Sequence, residues 1–332
     1  MINIAVLGVG YWGPNTVRNL RNIESCNLKY VCDMNTERLE FIKKNYPDQN
    51  ITTDYKELLN DEELHAVCIV TPVTTHKKLG IEFLEKGKNV FIEKPLTFNV
   101  QEAKDLVESA KKNNKTLCTG HIFQFHPAVQ KMKEIIDSGE LGKINYISAS
   151  RMNQGAGKYE VDVSWDLATH DLSIINYLMP EIPNRVSAFG KNHTVDLNDT
   201  VTMRLDYENN AYAMIEVSWL SPFKHRFMKI FGSKGTLVFD EMAEDKLIHY
   251  GLGIDDRDKG QGSGSLSYRE GTKSVVELPP TEPLKAELIN FIDSCQGRAK
   301  PIADGVSGLN VVQILSAGAE SMKNDGKWTK LS

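Results

Sequence analysis

The sequence predicts an α/β protein in two parts: a doubly wound parallel sheet over residues 1–122, then an α+β domain on an antiparallel sheet over residues 123–332. Three observations predict it. Short apolar runs alternate with helical patterns up to about residue 122, and the period then changes to successive strand-like runs separated by turns. At 332 residues, 41% hydrophobic and 25% charged, the chain is long enough for two soluble domains, each with its own core.

The first element is the run Ile2 to Leu7, which breaks into Gly8-Val9-Gly10-Tyr11-Trp12-Gly13 before a helical pattern begins. That is a strand, a tight turn and a helix start. Gly8 suits the sharp turn, Gly10 lets a pyrophosphate approach the backbone, and Gly13 lets the helix pack close on the strand. A second apolar run, Leu28 to Cys32, ends in Asp33, about 20 residues past the last glycine, where a carboxylate accepts bonds from ribose hydroxyls. The combination reads as dinucleotide binding. Asp33 favours NAD, because a 2′-phosphate meets its charge and Met34 and Asn35 supply no cation.

Crossover helices are expected over 36–46, at 54–59 capped by Asp54, over 75–86 and over 100–113, with strands at 65–70, 89–92 and 116–121. A helix over 127–138 carries Val129, Met132, Ile135 and Ile136 as a core stripe. Strands are then expected at 143–152, 185–191, 200–207, 212–219, 227–231 and 236–239, interrupted by a helix over 165–178. The glycine- and serine-rich stretch 251–264 reads as a flexible loop, and two closing helices lie within 283–323. Met203, Leu205, Met214, Ile215 and Val217 suggest an apolar sheet face that a second subunit covers, giving a homodimer or homotetramer.

The formal charge of −5 without a basic cluster argues against a nucleic-acid partner, and no apolar run approaches the roughly 18 residues of a membrane span. The N-terminus enters a strand without a basic leader, so a cytoplasmic protein is expected. Five cysteines show no C-x-x-C spacing and read as reduced and structural. The histidines form no H-E-x-x-H and the serines no G-x-S-x-G, so neither a metal nor a serine nucleophile is expected.

Candidate chemistry gathers at strand ends. Glu93-Lys94-Pro95 directly follows a parallel strand, at the carboxyl edge where doubly wound sheets bind ligands, and Thr71-Pro72 shares that edge. Asp166 and His170 stand four apart on a helix, as a general base and its orienting carboxylate would, although Asp171 is also available. His121 and Gln124 follow the last parallel strand and could face a substrate, as could Arg151 in the next strand.

These motifs together resemble the glucose-fructose oxidoreductase / inositol dehydrogenase (Gfo/Idh/MocA) family. The likeness rests on the Gly8 to Gly13 turn, Thr71-Pro72 with His76, Glu93-Lys94-Pro95 and Asp166-Leu167-Ala168-Thr169-His170. It implies a Rossmann domain followed by a large, open, mostly antiparallel sheet, and oxidation or reduction of sugars and cyclitols with a nicotinamide cofactor. It further implies that Lys94 and His170 are the catalytic pair, Asp166 their partner, and Glu93 a contact on the nicotinamide side. Tyr11, Trp12, Thr71, Pro72 and His76 join the cofactor-binding set, and the Lys94-Pro95 peptide is expected to be cis. A narrower resemblance, carried by Gly10-Tyr11-Trp12-Gly13-Pro14-Asn15 and His126-Pro127-Ala128, is to dehydrogenases of nucleotide-sugar biosynthesis such as UDP-N-acetylglucosamine 3-dehydrogenases. Val161-Asp162-Val163-Ser164-Trp165 replaces the glycine-rich lead-in usual before the aspartate. The rival readings are a free-sugar or inositol dehydrogenase and a cofactor-sensing protein without turnover.

Overall fold

In the computed structural model, which describes residues 1–155, 161–251, 253–255, 267–269 and 271–331, the apolar runs and helical patterns alternate as expected. They are β1 (Ile2–Leu7), α1 (Gly13–Arg21), β2 (Cys26–Cys32), α2 (Thr36–Asn45), β3 (Ile51–Thr52), α3 (Tyr55–Asn60), β4 (Ala66–Ile69), α4 (His76–Glu85), β5 (Asn89–Glu93), α5 (Val100–Lys112) and β6 (Leu117–Gly120). The six strands run parallel in the order β3-β2-β1-β4-β5-β6. Side chains set the helix starts: Asn35, Asp54 and Asn99 each accept backbone N–H groups at the entry of α2, α3 and α5.

Next come α6 (Pro127–Asp137), β7 (Ile144–Gln154), a π-helical turn over Ser164–Ala168, α7 (Thr169–Leu178), β8 (Arg185–Lys191), β9 (Thr200–Asp206), β10 (Tyr212–Ser218), β11 (Leu220–Gly232), β12 (Thr236–Asp240) and β13 (Leu247–Tyr250). β14 (Gly253–Asp255), β15 (Ser267–Arg269), β16 (Lys273–Val275), α8 (Pro283–Cys295), α9 (Gly305–Lys323) and β17 (Thr329–Lys330) complete the chain. The large sheet has the order β16-β13-β12-β11-β7-β10-β9-β8-β17 among the described residues, and is antiparallel except where β7 meets β10. Of the stretch expected to be a loop, 253–255 is strand, paired with Ser267–Arg269; Leu252 and residues 256–264 lie outside the described residues. The expected strand at 227–231 is the second half of a longer one, β11, whose beginning carries the exposed Phe223.

The chain divides into two compact units, Met1–His126 with Thr281–Val312 and Pro127–Pro280 with Gln313–Ser332. The expected division falls at residue 122 with both closing helices in the second domain, whereas α8 and the first part of α9 lie in the first compact unit. A parallel sheet must be covered on both faces. Leu284, Leu288 and Phe291 of α8 supply that cover over Cys68, Phe91 and Cys118, with the Phe91 and Phe291 rings 5.7 Å apart. Asn19 and Arg18 of α1 bind Glu282 at the entry of α8, and Thr119 donates its N–H to Ala303 at 2.8 Å.

In the second unit Met203, Leu205, Ile215 and Val217 are buried, and Gly318 of α9 lies against Met203. The alternation expected to mark an intersubunit face is therefore mainly the inner, helix-covered face. Of the five residues, Met214 alone points outward, at 38% exposure. The outer face carries Phe189 at 59% exposure and a cross-strand stack in which the Tyr146 ring lies 4.8 Å from both Tyr212 and Phe231.

Candidate active site

The glycine turn has the shape a dinucleotide requires. Gly8 sits at φ +92°, and a Cβ there would stand 2.5 Å from the Val70 carbonyl oxygen. A Cβ at Gly13 would stand 2.3 Å from the Gly8 carbonyl, so only glycine lets α1 start this close to β1. No side chain caps α1 and no acid occupies its first turn, so the helix start repels no phosphate; Pro14 there has no N–H, and Asn15 gives its own to the Trp12 carbonyl at 2.9 Å. Tyr11 is 96% exposed on the same turn.

Asp33 is tied to that turn. Its Oδ2 accepts from the Val9 N–H at 2.8 Å and its Oδ1 from the Asn35 N–H at 2.8 Å. Arg38, in the first turn of α2, approaches Oδ2 at 3.6 Å and also lies 3.6 Å from where a Gly10 Cβ would sit. Met34 and Asn35 supply no cation, but Arg38 brings one near Asp33. Arg38 is a residue that sequence reading missed, although its place five residues after the aspartate, one helical turn on, was the available signal. Asp33→Ala is expected to shift the ratio of NADP to NAD affinity toward NADP by roughly 10- to 100-fold, the worth of one or two charge-assisted bonds from Arg38 to a 2′-phosphate. Cofactor titrations check this, and Arg38→Ala in the Asp33→Ala background should cancel the gain.

At the carboxyl edge of the same sheet the Lys94-Pro95 peptide is cis. Burial pushes the Glu93 carboxyl up to about 7, against the stabilising Lys94 N–H, the Lys94 charge and the Trp12 side chain. That carboxylate lies over Gly120, where a Cβ would come within 2.9 Å of its Oε2. Glu93 thereby links the glycine turn, through Trp12, to the strand end that carries Lys94. His76 is fully buried and braces the same edge: Nε2 is 2.9 Å from the Thr71 carbonyl oxygen, and Nδ1 is 3.2 Å from those of Pro95 and Leu96. Burial lowers its pKa while the backbone oxygens of Thr71, Leu96 and Pro95 raise it, and its ring bridges the ends of β4 and β5. The Thr71 hydroxyl is 2.6 Å from that of Thr75, and Pro72 opens the turn into α4.

His121 is 1% exposed, and neither ring nitrogen has a hydrogen-bond partner among the described residues. Burial and the neighbouring Lys94 charge push its pKa down to about 3, which leaves a neutral imidazole able to give or take one hydrogen bond. Gln124, by contrast, donates to the Ser307 hydroxyl at 3.1 Å.

In the second unit, Asp162 opens the π-helical turn by accepting from Ser164 and Trp165. Single π turns recur at functional sites, and this one places Asp166 just before α7, so the continuous α-helix expected from residue 165 begins at Thr169. Asp166 Oδ2 accepts from the Trp219 indole N–H at 3.0 Å. His170 lies in the first turn of α7. Asp171 is committed elsewhere: its two oxygens take Nε and Nη2 of Arg151 at 2.9 and 3.0 Å, with both side chains 4% exposed. The ion pair thus holds Asp171 on Arg151 and gives Arg151 a structural task. Among the described residues no group of three or more His, Cys, Asp or Glu could hold a metal ion, and no helix is long and apolar enough to cross a membrane.

Residues 2–121 match the NAD-binding Rossmann domain of the GFO/IDH/MocA oxidoreductases, and residues 129–238 match a C-terminal domain of the same group. The chain belongs to the GFO/IDH/MocA oxidoreductase family. It is an NAD-dependent oxidoreductase of sugars or polyols. It is 30% identical over 250 residues to scyllo-inositol 2-dehydrogenase (NAD⁺) of Bacillus subtilis, covering 71% of this chain and 73% of that one. To UDP-N-acetylglucosamine 3-dehydrogenase of Acidithiobacillus ferrooxidans it is 29% identical over 251 residues, covering 75% and 76%. The solved structure of that enzyme superposes with a TM-score of 0.82 over 97% of this chain and 99% of that one, at 26% identity. Levoglucosan dehydrogenase in complex with NADH has the same fold, with a TM-score of 0.84 over 100% of this chain and 99% of that one, at 20% identity.

Proposed function

We propose that this GFO/IDH/MocA enzyme oxidises a ring hydroxyl of a UDP-linked amino sugar, at C3 of a UDP-N-acetylglucosamine-type substrate. The observation that carries this reading is the likeness to the Acidithiobacillus enzyme, whose structure it matches along almost its whole length. Gly10 to Asn15 and His126 to Ala128 support it as motifs of the same subgroup. When bound, NAD⁺ takes up the hydride from the ring carbon. The chain's own residues handle the rest: His170 or Lys94 takes the hydroxyl proton, Asp166 orients the imidazole, and the neutral His121 hydrogen-bonds a sugar hydroxyl. Where His170 is the acceptor, the Lys94 ammonium stabilises the developing alkoxide by its charge. The second reading, an inositol or free-sugar dehydrogenase, is favoured by the similarity to the Bacillus enzyme. Incubation with NAD⁺ and a panel of UDP-sugars, free sugars and inositols, followed by product analysis, decides between them. Turnover of UDP-N-acetylglucosamine alone is expected; turnover confined to inositols or free sugars would reject the nucleotide-sugar reading, and no turnover of any would favour a sensing role.

The enzyme is further proposed to assemble as a homodimer or homotetramer through the outer face of the large sheet, where Phe189, Met214 and the Tyr146 stack stand on the uncovered side. Light scattering at micromolar concentration is expected to give a multiple of 37.3 kDa, and a stable monomer would reject the assembly.

A further inference from the structure

The π turn creates a problem that an ordinary helix does not have. Residues four apart on an α-helix share a face, so a carboxylate there aims itself at an imidazole one turn on. Asp166 sits in the middle of Ser164–Ala168, where each turn is wider, and His170 sits beyond it in α7. The π turn thus changes the direction in which helix geometry aims the Asp166 carboxylate, and a bond from outside the helix can fix it.

Trp219 is placed to do it. It stands at the junction of β10 and β11, 4% exposed. Its backbone is pinned on both sides: its N–H donates to the Asp199 carbonyl and its carbonyl accepts from the Gly155 N–H, both at 2.9 Å. Asp199 in turn is fully buried and takes the His193 and Thr194 N–H groups on its carboxylate, so the anchor is itself held. From this fixed backbone the indole N–H reaches Asp166 Oδ2 at 3.0 Å. Phenylalanine would fill much of the same apolar volume. What only the indole adds here is a rigid donor to an anion, a bond about twice as strong as one between neutral groups.

We propose that Trp219 is a positioning residue for catalysis, whose indole N–H fixes the Asp166 carboxylate so that the other oxygen, Oδ1, is presented to His170. The inference rests on the assignment of Asp166 as the partner of His170 made above. With Oδ2 held, the carboxylate neither swings toward solvent nor exchanges its oxygens, and the imidazole tautomer it selects stays fixed through the proton transfer.

The test is a double-substitution cycle on kcat with Trp219→Phe and Asp166→Asn, together with NAD⁺ affinity and the pH profile. Trp219→Phe is expected to lower kcat roughly 10- to 100-fold, the loss of one hydrogen bond to a charged group. It should leave NAD⁺ affinity within about twofold, the signature of a loss confined to the chemical step. It should also displace the acid limb of the profile, which mere packing loss would not move. In the Asp166→Asn background its loss should be smaller than in the wild type, because the indole N–H then donates to a neutral amide rather than to an anion. If Trp219→Phe does not fold, benzothienylalanine at 219 keeps the bicyclic shape and deletes only the donor. Wild-type kcat in either Trp219 variant, with Asp166→Asn slow, overturns the proposal alone, as does an additive double variant. Wild-type kcat in Asp166→Asn instead removes the assignment on which the proposal stands.

Discussion

Replacing Lys94 or His170 by alanine is expected to lower kcat by roughly 10²–10⁴ while leaving NAD⁺ affinity nearly intact, the usual worth of general acid–base help. The separation follows from where the parts lie. The proposed phosphate cradle is Gly8 to Gly13 with the start of α1, and the proposed ribose contact is Asp33 on the same turn. Neither depends on the Lys94 ammonium or the His170 ring. Asp166→Asn should cost less than His170→Ala, since it misdirects the base without deleting it, and the His170 variant should lose the acid limb of its pH profile. Steady-state kinetics on the substrate found by product analysis, with NAD⁺ titrated separately, check all three. Were His170 and Asp166 merely an exposed helical pair, their removal would change stability by about 0.3–0.5 kcal/mol and leave the rate alone. Wild-type turnover in both alanine variants would remove the site assignment while leaving the fold and cofactor standing.

The parts of this site that were legible in the sequence are those whose meaning is local. A glycine that must have positive φ, a lysine at a strand's end and an aspartate one crossover after the glycine turn can each be read within about 20 residues. Arg38 was as local, yet a single arginine in a helix is ordinarily a solvated surface residue, and only its approach to Asp33 and Gly10 distinguishes it. The contacts that join distant segments were not legible. The bond from Trp219 to Asp166 crosses 53 residues of sequence, and nothing in the composition around Trp219 announces it. Helix α8 looked like part of the second domain because chain order is the only guide a sequence offers. It joins the first unit because a parallel sheet leaves an apolar face, Phe91 and Cys118 included, that the crossovers do not cover. The π turn was invisible for a different reason: a wider turn inserts one residue into a helix without changing the kinds of residue that build it.

The ion pair that Asp171 makes with Arg151 leads to the largest expected effect on stability. Arg151 of β7 and Asp171 of α7 meet bidentately on the inner face of the large sheet, both 4% exposed. Desolvating two charges offsets most of their attraction, so the pair itself adds little net stability over apolar residues of the same volume. Removing one member is another matter, because it strands the other's charge in an apolar layer. Asp171→Ala and Arg151→Ala are each expected to destabilise the protein by about 3–5 kcal/mol, whereas the double replacement Arg151→Met with Asp171→Leu should recover most of that loss. Denaturant unfolding of the second unit, followed by a probe such as Trp219 fluorescence, measures the difference. If the double replacement folds to near wild-type stability and keeps its KM, the guanidinium serves only the sheet. If it folds but loses substrate affinity at unchanged NAD⁺ affinity, Arg151 has a second role at the sugar, reached by exchanging Asp171 for the ligand. Equal destabilisation by the single and double replacements would contradict the pair's role altogether.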